Sequence, residues 1–440
     1  MRTTKIITLC AMLWGCGASL LMAETQTDSL ATYIAAAIRN NPAVIGQYHA
    51  YKAQVMAACG EGQLNDPEIT VNAFPSPMQH VNVKQYATVT AMQMFPWFGT
   101  LKAGREMMEH KAEAAYQKFR EAGIALAFDV QRQWYKLLST QDKIRSVHDK
   151  LSLLKDIEQV ALYQYKSPLT ARGTKMSDQL RLQSEEARLE EQIASLQDEM
   201  KLQQQQLNLT MHRDPESPLA LPDSISLRDM PVMAWDEIER QDPRLNALRA
   251  NGRAYDAQAA KARGMGMPMI GVGLQYMMNG KVDHPLMADM NGNDMIMPMI
   301  KVTLPIYRRR VNAARRSAAL MKQSTEWNYQ EAQDWLRARY LSIRQRAADE
   351  QRKLELYRKE VAILHNTLHL MTSEYANGTT SLTDLLQTMR EQIDYTLKQA
   401  EAYAAYNTIV AEYEEMASKY DYAVRADQEM KNHQTTDSHE

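Results

Sequence analysis

Two charged helical stretches of about sixty residues, each entered from a short β-hairpin, constrain this 440-residue chain more than any other feature. Apolar residues at helical spacing, with few glycines, predict helices at about 28–62, 100–164, 177–210, 236–262, 309–374 and 382–424. At 1.5 Å per residue, a 65-residue helix is about 98 Å long. That length exceeds any globular core, so such helices must pair side by side as coiled coils or as staves of a barrel.

The pattern occurs twice. Asn41-Pro42 stands 25 residues before Asp66-Pro67, and Asp242-Pro243 stands 25 residues before Pro268. Each hairpin then closes at a proline, in Met94-Phe95-Pro96 and in Thr303-Leu304-Pro305. Ser177-Asp178 follows Pro96 by 82 residues, and Thr383-Asp384 follows Pro305 by 79. The period of about 200 residues is too long for a solenoid and marks a duplicated domain. The expected divisions are a first repeat at 24–211, a linker at 212–235 with four prolines, a second repeat at 236–425, and a disordered polar tail at 426–440.

Strands are expected at about 67–74, 85–95, 267–277 and 294–304. In the last, Ile296, Pro298, Ile300, Val302 and Leu304 alternate with Met295, Met297, Met299, Lys301 and Thr303. In the third, Ile270, Val272, Leu274 and Tyr276 alternate with Met267, Met269, Gly271, Gly273 and Gln275. Strands of this length with one apolar and one polar face suit a transmembrane barrel wall. A soluble sheet packed on helices would show the same alternation.

Residues 1–23 read as an export signal: Arg2 and Lys5, an apolar core from Ile6 to Leu13, and Leu21-Met22-Ala23 before Glu24. The alternative is a lipoprotein signal acylated at Cys16. Removing Arg2 and Lys5 leaves 49 basic against 53 acidic residues, which gives no nucleic-acid footprint. After cleavage Cys59 stands alone, so disulfides are excluded. No HExxH, phosphate-binding loop, dinucleotide fingerprint or nucleophile elbow is present, so neither catalysis nor a cofactor is expected. His365 and His369 have metal-ligand spacing on a polar helix face, and Glu185-Glu186 and Glu190-Glu191 sit in charge runs; all are expected to be solvated.

The two hairpins with their flanking prolines, the linker between halves, and two helix-turn signatures resemble the TolC family of outer-membrane efflux channels. The signatures are Tyr165…Gly173…Ser177-Asp178 and Tyr375-Ala376-Asn377-Gly378…Thr383-Asp384-Leu385-Leu386. The resemblance implies a mainly α fold with a small β part, assembled as a homotrimer. Each subunit would give four strands to a 12-stranded transmembrane β-barrel, and the helices would extend it as a periplasmic tunnel. It also implies outer-membrane lipid around the barrel, a periplasmic adaptor and an inner-membrane pump of the resistance-nodulation-division type as partners. A periplasmic gate is implied at Asp178, Tyr375 and Asp384. Gln387 stands where the family has a second ring carboxylate, and Thr380 where it has a gate arginine. Without the resemblance, an Asp after Ser or Thr near a helix start, as at Asp178 and Asp384, is usually a helix-capping residue.

Methionine points to the cargo. Ten of the 29 methionines fall between Met265 and Met299. Met265, Met267 and Met269 are expected as one lumenal collar and Met295, Met297 and Met299 as a second at the opposite end, with Met287 and Met290 in the outer loop. Thioethers suit Cu(I) and Ag(I), and the resemblance extends to the copper and silver branch of the family. Methionine is also an adaptable apolar filler. The alternatives are a duct for organic toxicants, a conduit for type I polypeptide secretion, and a structural coiled-coil protein with no pore.

Overall fold

The computed structural model describes residues 30–79, 83–166, 176–283 and 292–419. The expected leader at 1–23 and tail at 426–440 lie outside them. Among these residues, eight helices and four strands run in the order α1 (Leu30–Asn40), α2 (Pro42–Glu61), β1 (Glu68–Gln79), β2 (Lys84–Phe95), α3 (Thr100–Lys166), α4 (Met176–Thr210), α5 (Trp235–Gln241), α6 (Pro243–Gly264), β3 (Met269–Gly280), β4 (Met295–Thr303), α7 (Arg308–Ala376) and α8 (Leu382–Met416). At 67 and 69 residues, α3 and α7 are each about 100 Å long.

Two expected helices are each broken in two, at equivalent prolines. The stretch 28–62 divides at Asn41, and 236–262 divides at Asp242, because proline lacks an N–H and sterically disfavours helix in the residue before it. Each break is turned into a helix start. Asn41 Oδ1 accepts from the Ala43 N–H at 2.9 Å, and Asp242 Oδ1 accepts from the Leu245 N–H at 2.8 Å. Pro42 and Pro243 then occupy the first helical turn, where a missing N–H is harmless. At the other end of the chain, α8 stops at Met416 rather than 424, and Ser418 beyond it has φ 50°.

The strands form one antiparallel sheet in the order β1-β2-β3-β4, so β1 and β4 are open edges. Helices follow the same lateral order: α2 packs on α3, α3 on α6, and α6 on α7. Further from the sheet, α4 and α8 flank α3, and α8 also pairs with α7. Apolar cores are therefore strung along the helices. One joins Tyr33, Tyr48, Phe119, Trp134 and Met211; another joins Ile238, Leu336, Ile343, Tyr406 and Val410; a third gathers the far tips of α3, α4, α7 and α8.

The segment expected as the linker is held against both halves as a strap. Arg228 donates two bonds of 2.7 Å to the buried carboxylate of Glu414, and one each to Gln131 Oε1 and the Tyr135 hydroxyl at 3.1 Å. Its own N–H donates to Asn407 Oδ1, and Asn407 Nδ2 donates back to the Ser226 carbonyl at 2.7 Å. Tyr33 and Tyr413 accept from the N–H groups of Ala220 and Met233. These side chains supply the partners that an extended segment cannot find within itself.

Candidate functional site

Register across the sheet defines two faces, since directly paired residues lie on one side. Ile69, Ala91, Leu274 and Pro298 form one row of the first face; Val71, Val89, Tyr276 and Ile296 form the next. This face is apolar and bare: Ile300 is 79% exposed and Ile69 is 68% exposed. Burying such side chains is worth roughly 1.5–3 kcal/mol each, so the monomer leaves a large driving force unused. The opposite face carries the rows Met94, Gly271, Lys301; Glu68, Met92, Gly273, Met299; Thr70, Thr90, Gln275, Met297; and Asn72, Thr88, Met277, Met295.

The two expected methionine collars take a different form. Of Met265, Met267 and Met269, only Met269 lies in a strand, paired with Thr303. Helix α6 runs to Gly264 with Met265 as its cap, and Pro268 has no N–H to give the ladder, so pairing begins at Met269, two residues beyond Met267. Met295, Met297 and Met299 do lie on β4 with their side chains on the polar face. They are joined there by Met92, Met94 and Met277, which sequence reasoning missed. Glycine is the signal that could have found two of them: the Met94 sulfur occupies the place of a Gly271 side chain, and Met92 Cε lies 3.2 Å from where a Gly273 Cβ would stand. These six thioethers form one patch over four rows, about 20 Å along the strands, and Met269 lies one row beyond it on the same face. Met287 and Met290 lie outside the described residues.

The second candidate region is the far tip of the helices. Tyr375, in the last turn of α7, is buried with Leu182, Leu382, Leu385 and Leu386 in one apolar cluster. Asp178 is half-buried in the first turn of α4. Asp384 is exposed in the first turn of α8, where Ser381 is the N-cap. The Ser381 hydroxyl accepts from the Asp384 N–H at 3.2 Å and donates to its carboxylate at 2.7 Å, a reciprocal cap. Gln387 Nε2 donates to Glu391 one turn on, at 3.2 Å. Thr380, between α7 and α8, donates to the Glu374 carboxylate in the last turns of α7 at 2.7 Å. Tyr165 and Gly173 of the first signature have no described side-chain environment.

Glu185, expected to be solvated, is the main ionic link at this tip. Its side chain is 1% exposed, accepts from Arg390 of α8 at 2.6 and 3.0 Å, and also holds Arg188. Burial pushes its carboxyl up, but the two guanidiniums more than offset this and hold it below the usual carboxylate range. Glu185 sits between Leu182 and Leu189, three and four residues away. A charge at that seam position was the available sign that it faces another helix. Nearby, Arg181 donates to the Thr383 hydroxyl at 2.6 Å, so α4 and α8 are tied at two levels. His365 and His369 are both exposed on α7, and no group of three or more His, Cys, Asp or Glu among the described residues is placed to hold a metal ion. No helix among them is long and apolar enough to cross a membrane.

The chain is thus a four-stranded sheet with one bare apolar face, carried on helices of about 100 Å. By sequence, residues 235–414 match the family model described as outer membrane efflux protein, which spans most of the second repeat. No curated protein sequence matches the chain. Among solved structures, the outer membrane protein VceC from Vibrio cholerae superposes with a TM-score of 0.70 at 15% identity, covering 88% of this chain and 96% of that one. The outer-membrane channel OprN gives 0.68 at 17% identity over 89% and 91%, and CusC gives 0.69 at 16% over 88% and 91%. About 88% of the chain therefore shares their fold, and its second half also matches the efflux-protein model by sequence.

Proposed function

We propose that this chain is one of three identical subunits of an outer-membrane exit duct serving a tripartite efflux system. The observation that carries this is the sheet, open at β1 and β4 and apolar on one face only. Unpaired backbone groups in hydrocarbon cost several kcal/mol each, and only closure removes them. Three copies give a 12-stranded barrel with the apolar face toward lipid and the threonine, asparagine and glutamine rows toward water. The edge helices are consistent with this. Exposed Leu320, Trp327 and Leu341, then Leu356, Ile363 and Leu370, recur on α7 at multiples of seven, as a coiled-coil seam with the next copy requires.

In this role the chain performs no chemistry. An adaptor in the periplasm and an inner-membrane pump of the resistance-nodulation-division type supply cargo and energy. The tips bearing Asp178, Tyr375, Asp384 and Gln387 form the closed end in the resting state. The test is direct: purified protein should run as a trimer unheated and as a monomer after boiling, and should conduct in planar bilayers. A monomer without conductance overturns the proposal.

Organic toxicants are the cargo class we adopt, because uncharged polar rows wet a pore without retaining what passes. Soft metal ions are a second reading, favoured by the six clustered thioethers. Deleting the gene separates them: sensitivity to dyes and antibiotics supports the first, and sensitivity confined to copper or silver supports the second.

A further inference from the structure

At the foot of the sheet the strands pass into the long helices. Three helix ends meet there at one level. Thr100, opening α3, packs against Gly264 at the end of α6, and Val311 of α7 lies 2.8 Å from where a Gly266 Cβ would stand. Around this junction, Leu64, Phe95, Trp97, Phe98, Leu101 and Ile270 line a cavity of about 440 Å³. Phe95 and Ile270 pair across β2 and β3 on the bare apolar face, so the cavity continues that face. Phe98 beside it is 87% exposed, and Tyr307, at the foot of β4, is 83% exposed.

Immediately beyond lies a band of cations. Arg308, Arg309 and Arg310 open α7, followed by Arg315 and Arg316; all five are exposed. Among the described residues none of the five has an ion pair or a side-chain hydrogen bond. The first turn of α7 holds no acid, and its cap Tyr307 makes no capping bond. Stacked positive charge at a helix N-terminus opposes the helix dipole, so the isolated subunit leaves this end uncompensated. Arg263 at the end of α6 and Lys102 in α3, paired only at 3.7 Å with Glu106, extend the band toward the cavity.

We propose that this foot is a phospholipid site of the periplasmic leaflet: an acyl chain lies in the cavity against Trp97 and Phe98, and an acidic headgroup rests on Lys102, Arg263 and the Arg308–Arg310 cluster. The proposal rests on the sheet being the membrane-spanning part. The strands at issue are neighbours, so β2 and β4 lie only about 10 Å apart, within the span of one diacyl lipid. An aromatic residue at the interface with basic residues just outside it is the arrangement that holds a headgroup boundary in place.

Trp97 is the reporter. Trimers of the full chain would be reconstituted in phosphatidylcholine nanodiscs containing a minor fraction of brominated lipid, either phosphatidylglycerol or phosphatidylcholine. The quenching lost in Trp97→Phe gives the share of that residue. Brominated phosphatidylglycerol should be enriched at Trp97 by at least about fivefold, the effect of one engaged basic residue near an anionic surface. The set Lys102→Gln, Arg308→Gln, Arg309→Gln and Arg310→Gln should abolish the enrichment, while Arg308→Lys, Arg309→Lys and Arg310→Lys should keep it. Equal quenching by the two lipids refutes the site and assigns the arginines to the seam between copies, where Glu68 of the neighbouring β1 and Asp66 just before it would arrive. Absence of quenching by either lipid refutes the membrane placement of the sheet as well.

Discussion

Replacing Arg228 by alanine tests whether the strap between repeats is structural or merely a connection. The Glu414 side chain is 1% exposed and accepts both guanidinium bonds at 2.7 Å, whereas Arg228 itself is about a quarter exposed. Removing one member of a buried pair strands the other charge, at about 3–5 kcal/mol. Lys419 softens this, because its Nζ lies 3.1 Å from Glu414 and remains as a partner. The bonds to Gln131 and Tyr135 are lost too, at about 1 kcal/mol each. The expected cost of Arg228→Ala is therefore about 4 kcal/mol, against less than 1 kcal/mol for Lys419→Ala, whose cation is half-exposed. Urea unfolding of the detergent-solubilised protein, followed by helical circular dichroism, gives both values. Chymotrypsin should also cut Arg228→Ala near Leu227 and Met230, because the extended segment loses its hold on α3 and α8. If the two variants unfold alike and the strap stays uncut, the pair does not hold the repeats together.

Three further outcomes are expected. Glu185→Gln should loosen α8 from α4, lowering hydrogen-exchange protection of residues 382–393. Because the folded carboxyl is held below its ordinary value, its stabilisation is full above the ordinary carboxylate range and is lost as pH falls through the lowered value. Wild type but not Glu185→Gln should therefore lose protection on acidification, and matching profiles would contradict the link. Asp384→Ala should reduce cation selectivity in bilayer recordings if three copies ring the axis; an unchanged reversal potential removes Asp384 from the aperture. Converting Met92, Met94, Met277, Met295, Met297 and Met299 together to leucine keeps apolar bulk and removes every thioether of the patch. Silver resistance should collapse, with trimers intact, only if soft ions are the cargo.

Much of the architecture was legible along the chain because it depends on local period and local punctuation. Alternation separated Ile296, Ile300 and Val302 from Met295, Met297 and Met299, and the register of β3 on β4 keeps that separation. Asn41-Pro42 and Asp242-Pro243 marked the same place in both repeats, although the prolines start new helices there rather than continuing one. Other features depend on which strand or helix lies alongside, and no single segment contains that information. Alternation sets Met92 and Met94 on the side of Thr88 and Thr90, but only the register of β2 on β3 brings them over Gly273 and Gly271 and joins them to the methionines of β4. Glu185 leaves solvent only because α8 brings Arg390 against α4, and Arg228 becomes an anchor only because Glu414, 186 residues on, is buried beneath it. Periodicity tells a residue which side of its own element it occupies; what waits on that side is decided by register and by the packing of distant segments.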